Sequence, residues 1–355
     1  MQIVRESIFV SAIRSFFNTF LAVIGIVLAL AIFTVVAGLF TSPYKMEEEY
    51  IEMQILPNAE GDTTILPETT PVILQVDLTG VIGETHLNGS SIESFLRVSR
   101  KGALKNNRVK AVLLYIDSPG GGAIDSDLIY QAVCRYKAKY NVPVYAYTPG
   151  VCASGGYMIA CSADKIYASP SSIVGSVGAK WGIGFNFWQF MQTHGIDSVT
   201  VAEGLYKEKY PPFTKLPEGS SPYNDIITIV KESYSQFTDL VAKARESKGL
   251  TKEMLVQTYG AQIYSGQTGE KYGYVDNGNA YYCEVLQDLA KSAQLEEHSY
   301  QVVRFNYKHS PLQDLVSNKV SLWVEEAANA LLGIKRSGKL TNSLLYYYDT
   351  NDRLK

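Results

Sequence analysis

The sequence predicts an α/β fold built on parallel strands, preceded by one membrane-spanning helix and an acidic tether. Three observations carry this expectation. Val72–Val76, Ala111–Ile116 and Val142–Tyr147 are apolar runs of strand length. Between the last two, Ile124, Leu128, Ala132, Val133 and Tyr136 recur at helical spacing, and strand–helix–strand with such a crossover implies parallel neighbours in a right-handed βαβ unit. Ahead of all of them, residues 15–44 carry no charge.

In chain order, residues 1–15 form a short N-terminus and 16–40 a transmembrane anchor, since about 20 apolar residues span a bilayer as a helix. Arg5 and Arg14 precede the span, whereas Lys45 beyond it is followed by Glu47, Glu48 and Glu49. The positive-inside bias predicts a cytoplasmic N-terminus, with everything after residue 41 on the extracytoplasmic side of the inner (cytoplasmic) membrane. The rival is a cleaved signal peptide ending near Val35-Val36-Ala37, against which the apolar run is long. Residues 41–70, punctuated by Pro43, Pro57 and Pro67, show no helix or strand period and read as a tether. Residues 71–295 hold the globular domain. Within it Tyr223–Ser247 is expected as a long amphipathic helix, with Ile226, Val230, Phe237, Leu240 and Val241 inward and Gly249 ending it. Residues 296–355 form a C-terminal extension with a helix expected over Leu315–Ile334, ahead of a tyrosine-rich tail.

Composition removes whole classes of function. Thirty-two Lys and Arg against 35 Asp and Glu give a net charge of −3, with no electrostatic footprint for nucleic acid. Four cysteines (Cys134, Cys152, Cys161, Cys283) form no CxxC pair, and the histidines (His86, His194, His298, His309) never stand three or four apart. A cysteine- or histidine-built metal site is not expected, and no cofactor is called for.

Two glycine-rich turns carry the chemistry. Asp117-Ser118-Pro119-Gly120-Gly121-Gly122 ends one strand and opens a helix, at the carboxyl edge where α/β sheets bind ligands. Its glycines can expose backbone N–H groups to a phosphate or an oxyanion, although a plain tight turn fits the same residues. Neither a Walker loop nor a dinucleotide fingerprint is formed. The second turn is Gly150-Val151-Cys152-Ala153-Ser154-Gly155-Gly156-Tyr157, after the third strand. Ser154 there is either a helix N-cap or a nucleophile held clear of the backbone, with the next N–H free for an oxyanion. Cys152 and Cys161 read as small core residues. A nucleophilic serine needs a base; His194 reads as a helix end, and the alternative is a lysine kept uncharged by burial.

Together three segments resemble the signal peptide peptidase A (protease IV) family of membrane-anchored serine peptidases. They are Asp117–Gly122, Ala153-Ser154-Gly155-Gly156-Tyr157 with Ala163-Asp164-Lys165-Ile166, and Val174-Gly175-Ser176-Val177-Gly178. Gly204-Leu205-Tyr206-Lys207 with Pro212-Phe213 resembles the family's lysine segment, and Ile263-Tyr264-Ser265-Gly266 through Gly273-Tyr274-Val275-Asp276 its closing motif. The resemblance runs in order over roughly residues 71–290. It implies a ClpP/crotonase-like fold and a Ser–Lys dyad: Ser154 as nucleophile, Lys207 as general base, Ser176 as the hydroxyl orienting the lysine, and the N–H groups of Gly121 and Gly155 as oxyanion hole. It implies peptide substrates, residual signal peptides or other hydrophobic peptides, and a homo-oligomeric ring in which serine and lysine can come from neighbouring protomers. Two departures stand out. Ala179–Phe190 is unusually aromatic and glycine-rich, and Lys207-Glu208-Lys209 leaves Lys209 as a second candidate base. The competing readings are a non-catalytic crotonase-like ring that binds extended peptides and an acyl-CoA-handling crotonase. A membrane anchor disfavours the latter, and the joint presence of Ser154 and Lys207 argues against the former.

Overall fold

The computed structural model describes residues 8–40, 51–84, 86–182, 185–199, 201, 203, 204, 212, 213, 215 and 224–307. The expected helix over Leu315–Ile334 lies outside the described residues. Two units are distinguished. In the first, α1 (Ile8–Phe40) is one uninterrupted helix of 33 residues. At 1.5 Å per residue it is about 50 Å long, enough to cross a bilayer by length and apolar composition.

The second unit, Ile51–Tyr307, is built on a six-stranded sheet. Its strands are β1 (Ile51–Leu56), β2 (Val72–Thr79), β3 (Val109–Asp117), β4 (Val144–Thr148), β6 (Lys165–Ala168) and β9 (Gln301–Tyr307), in the order β1-β9-β2-β3-β4-β6. Every pairing is parallel except β1 with β9. A second, three-stranded sheet has β7 (Ile173–Gly175) in its middle, parallel to β5 (Val151–Ala153) and antiparallel to β8 (Ile263–Ser265).

Both faces of the large sheet are covered, which is why its central strands read as unbroken apolar runs. On one face Leu74, Val76, Val112 and Leu114 pack with residues of α2 (Gly89–Val98), α3 (Ala123–Tyr140), α4 (Gly155–Ala160) and α6 (Asn224–Ala244). On the other, Ile73, Leu113 and the rings of Tyr145 and Tyr147 pack against Val285, Leu286 and Leu289 of α8 (Tyr282–Ser292). The expected βαβ unit is present as β3–α3–β4. Its third strand starts at Val144 because Pro143, having no N–H, only accepts a bond from Val112. Of the residues expected inward on α6, Phe237 and Val241 are buried, whereas Ile226, Val230 and Leu240 are half-buried.

The expected boundaries 71–295 move outward. Residues 51–56 of the expected tether and 301–307 of the expected extension pair with each other, from Ile51↔Tyr307 to Leu56↔Val302. Gln54 also accepts hydrogen bonds from Arg304 and Asn306. β1 does not alternate between buried and exposed positions, and its partner is some 250 residues away, so no local pattern announces it.

One buried ion pair ties this body together. Arg245, just after α6, donates to the Asp276 carboxylate at 2.7 Å, with side chains 4% and 13% exposed. Asp276 also pairs with Lys248 and accepts from the Ile166 N–H of β6, while Arg245 Nε donates to the Gly273 carbonyl. Burial acts to raise the Asp276 pKa. The Ile166 N–H and the Arg245 and Lys248 charges outweigh it and hold the carboxyl below its ordinary value of 3.8. A depressed carboxylate contributes stability that is complete above its unfolded pKa and lost as pH falls through the folded one. Asp276→Asn, which strands a buried guanidinium, should therefore lower unfolding free energy in urea by about 3–5 kcal/mol near neutral pH. The parent chain in detergent should lose stability on acidification below about pH 4 more steeply than the variant, and equal slopes would contradict this role.

Candidate active site

The carboxyl ends of β3 and β5 meet where the two sheets adjoin. The Ser118 N–H donates to the Val151 carbonyl at 2.6 Å, and the Ala153 N–H to the Ser118 carbonyl at 3.1 Å. Asp117 fixes the same junction by accepting from the Val151 N–H. Two of the turn's glycines are required by space as well as conformation. Gly120 has φ +98°, and a Cβ there would stand 2.7 Å from the Ser154 Cβ and 2.8 Å from the Gly155 N. Gly121 has φ +156°, and a Cβ there would collide with the Ile82 carbonyl. Ile82 brackets Gly121, donating to the Gly120 carbonyl and accepting from the Gly122 N–H, so the Gly121 N–H takes no part in either bond. Only the glycine spacing of Gly80-Val81-Ile82-Gly83 after β2 hints at this role for Ile82.

Ser154 leaves β5 at φ +52°, ψ −121°, a conformation that a side-chain-bearing residue adopts only under constraint. The constraint is visible. Its N–H donates to the Gly175 carbonyl at 2.9 Å, and its carbonyl accepts from the Met158 N–H in α4. Ser154 occupies the N-cap position of α4, yet its side chain makes no capping hydrogen bond. The hydroxyl is not engaged by the helix. α4 is itself anchored by Tyr157, whose hydroxyl donates to the Tyr274 carbonyl at 2.7 Å, with both rings buried. The closing motif thus holds the helix that carries Ser154. Gly155 is the first residue of α4, so its N–H is among those a helix leaves unbonded.

Ser176 comes next to Ser154 through strand register. Ala153 pairs with Gly175 at the end of β5 and β7, and Ser154 and Ser176 are the residues that follow. Both turn left-handed, Ser176 at φ +54° with its N–H donating to the Gln262 carbonyl. Ser154, Ser176, Gly121 and Gly155 are thus joined through one junction, whereas Lys207 and Lys209 lie outside the described residues. His194 closes the end of its own helix, its Nδ1 2.8 Å from the Phe190 carbonyl one turn back. Cys152 and Cys161 are fully buried, and burial raises both thiols, Cys161 to about 12 and Cys152 further still. Neither is a thiolate at neutral pH. Among the described residues no cluster could hold a metal ion.

The family model described as peptidase family S49 matches residues 137–296. A Methanocaldococcus jannaschii protein named as a protease is 34% identical over 172 residues, 48% of this chain and 53% of its own length. An Enterococcus faecium protein named as a signal peptide peptidase is 28% identical over 260 residues, 71% of this chain and 72% of its own. Protease 4 of Haemophilus influenzae is 30% identical over 207 residues, 58% of this chain and 32% of its own. The chain thus spans about half the length of the first of these relatives and a third of the last. Among solved structures, a ClpP1 variant from Listeria monocytogenes gives a TM-score of 0.39 at 14% identity, covering 60% of this chain and 94% of that one.

The thiol assignment is checked by alkylation and mass spectrometry of the native chain. Iodoacetamide should modify the exposed Cys283 and leave Cys152 and Cys161 intact until urea is added. Rapid native modification of Cys152 would reopen it as a nucleophile.

Proposed function

We propose that this chain, whose residues 137–296 match the model of peptidase family S49, is a serine endopeptidase cleaving hydrophobic peptides beside a membrane, residual signal peptides among them. The observation that supports this most is Ser154, a non-glycine residue held at φ +52° with its hydroxyl uncommitted to the helix it caps. Strain of this kind, about 1–3 kcal/mol, persists in proteins chiefly where function requires it.

In the proposed mechanism uncharged Lys207 accepts the Ser154 proton as Oγ attacks the scissile carbonyl carbon. The carbonyl oxygen becomes an oxyanion facing the N–H groups of Gly121 and Gly155. Collapse expels the amine, which takes the proton back from Lys207, and leaves an acyl-Ser154 ester. Water, deprotonated by the same lysine, then attacks the ester and frees Ser154. Ser176 orients the lysine amine; its strand-register proximity to Ser154 suits that role. α1 is proposed as the anchor, with a cytoplasmic N-terminus and the body on the extracytoplasmic side. Single copies of the serine and lysine motifs support a ring whose sites are shared between protomers.

The test is turnover of a hydrophobic peptide by single variants and by their mixture. Ser154→Ala and Lys207→Met should each lose about 10⁴-fold or more, and the double variant little beyond that, since parts of one mechanism are not additive. Lys207→Arg should not rescue, because a guanidinium cannot accept the proton. Lys209→Ala should stay active, and wild-type rates should rise from acid toward mildly alkaline pH as the lysine deprotonates. Co-assembled Ser154→Ala and Lys207→Met chains should regain activity, each supplying the group the other lacks. Wild-type turnover by Ser154→Ala would end the peptidase reading, and an inactive mixture would confine each site to one protomer.

A further inference from the structure

We propose that the aromatic segment leaving the active site after Ser176 is a bilayer-contacting surface, which seats the catalytic centre on the lipid interface. The inference rests on the anchor reading above. Residues 181–196 contain no Asp, Glu, Lys or Arg. Trp181, Phe185 and Phe190 are 59%, 67% and 60% exposed, and α5 (Trp188–Thr193) has no buried residue at all. An apolar helix normally forms by burying one face, whereas among the described residues this one buries none and only half-covers Trp188 and Met191. Three of the exposed or half-exposed rings here adjoin. Phe187 lies 6.1 Å from Phe185 and 6.0 Å from Phe213, and the Phe187 N–H donates to the Pro212 carbonyl. The Lys215 ammonium sits 5.8 Å from the Trp188 ring, and Lys180 precedes the segment.

Two features commit this surface to lipid. Tryptophan and phenylalanine with lysines at the margin is the composition of membrane–water interfaces, where rings sit at headgroup depth and ammonium groups reach phosphate. Ten residues, 41–50, separate the end of α1 from the start of β1. At about 3.5 Å each they span at most about 40 Å, so an anchored body cannot leave the neighbourhood of the bilayer. Because Trp181 follows Ser176 by five residues, such contact brings the site to where apolar peptides partition.

The experiment places the full chain, with Trp323→Phe, in phosphatidylcholine nanodiscs whose acyl chains are brominated at shallow positions. Only Trp181 and Trp188 then emit. Their emission should fall by about half or more relative to unbrominated discs. Unchanged emission from disc-bound chain overturns the proposal, and blue-shifted, unquenched emission that reverts on dilution overturns it in favour of a second copy. If the chain does not stay in the discs, the anchor reading fails separately. The same chain added to brominated vesicles then decides: quenching sustains the lipid surface and its absence refutes it.

Discussion

Two backbone hydrogen bonds hold Ser154, and the candidate site depends on them. Pairing of β5 with β7 directs its N–H to Gly175, and α4 claims its carbonyl. No residue with a side chain fits at Gly120 without displacing Ser154 or Gly155. The two bonds hold the serine left-handed, and the surrounding burial offsets a strain of about 1–3 kcal/mol. The same register puts Ser176 beside it, so one strand pairing sets the spacing of two hydroxyl-bearing residues.

Behind this turn the closing motif acts as a buttress. Residues 273–276 receive Arg245 from the end of α6, Ile166 from β6 and the Tyr157 hydroxyl from α4. Arg245, Tyr157 and Tyr274 are buried, so these bonds are exchanged against little water and hold α4 at a fixed distance from the sheet. α6 follows the lysine segment in sequence and contributes Phe237 and Val241 to the same core.

How much of this is legible in the sequence follows from the range of each interaction. β2, β3, α3 and β4 announce themselves because their apolar periods are local. Ser154 is visible as a small-residue turn after a strand, but its left-handed backbone is not, since the Gly175 carbonyl that holds its N–H lies 21 residues later. β1 and β9 are illegible because each becomes a strand only through partners more than 200 residues away, β1 through β9 and β9 through β1 and β2. Ile82 is nearly as silent: apart from the flanking Gly80 and Gly83, it looks like any core residue until the Gly120–Gly122 loop is folded against it. The resemblance adds Ser176 and Lys207, for which local pattern alone supplies no role. The aromatic stretch after residue 180 is plain in the sequence, whereas its lack of burial needs the fold.

The central claim is that Ser154, and no other serine, is the acylated nucleophile. The most direct measurement is peptide mapping by mass spectrometry after a fluorophosphonate reacts with the full-length chain. The account predicts one phosphonyl adduct, on the peptide containing Ser154, and none in Lys207→Met. An adduct on a different serine, or equal labelling of Lys207→Met, would contradict it.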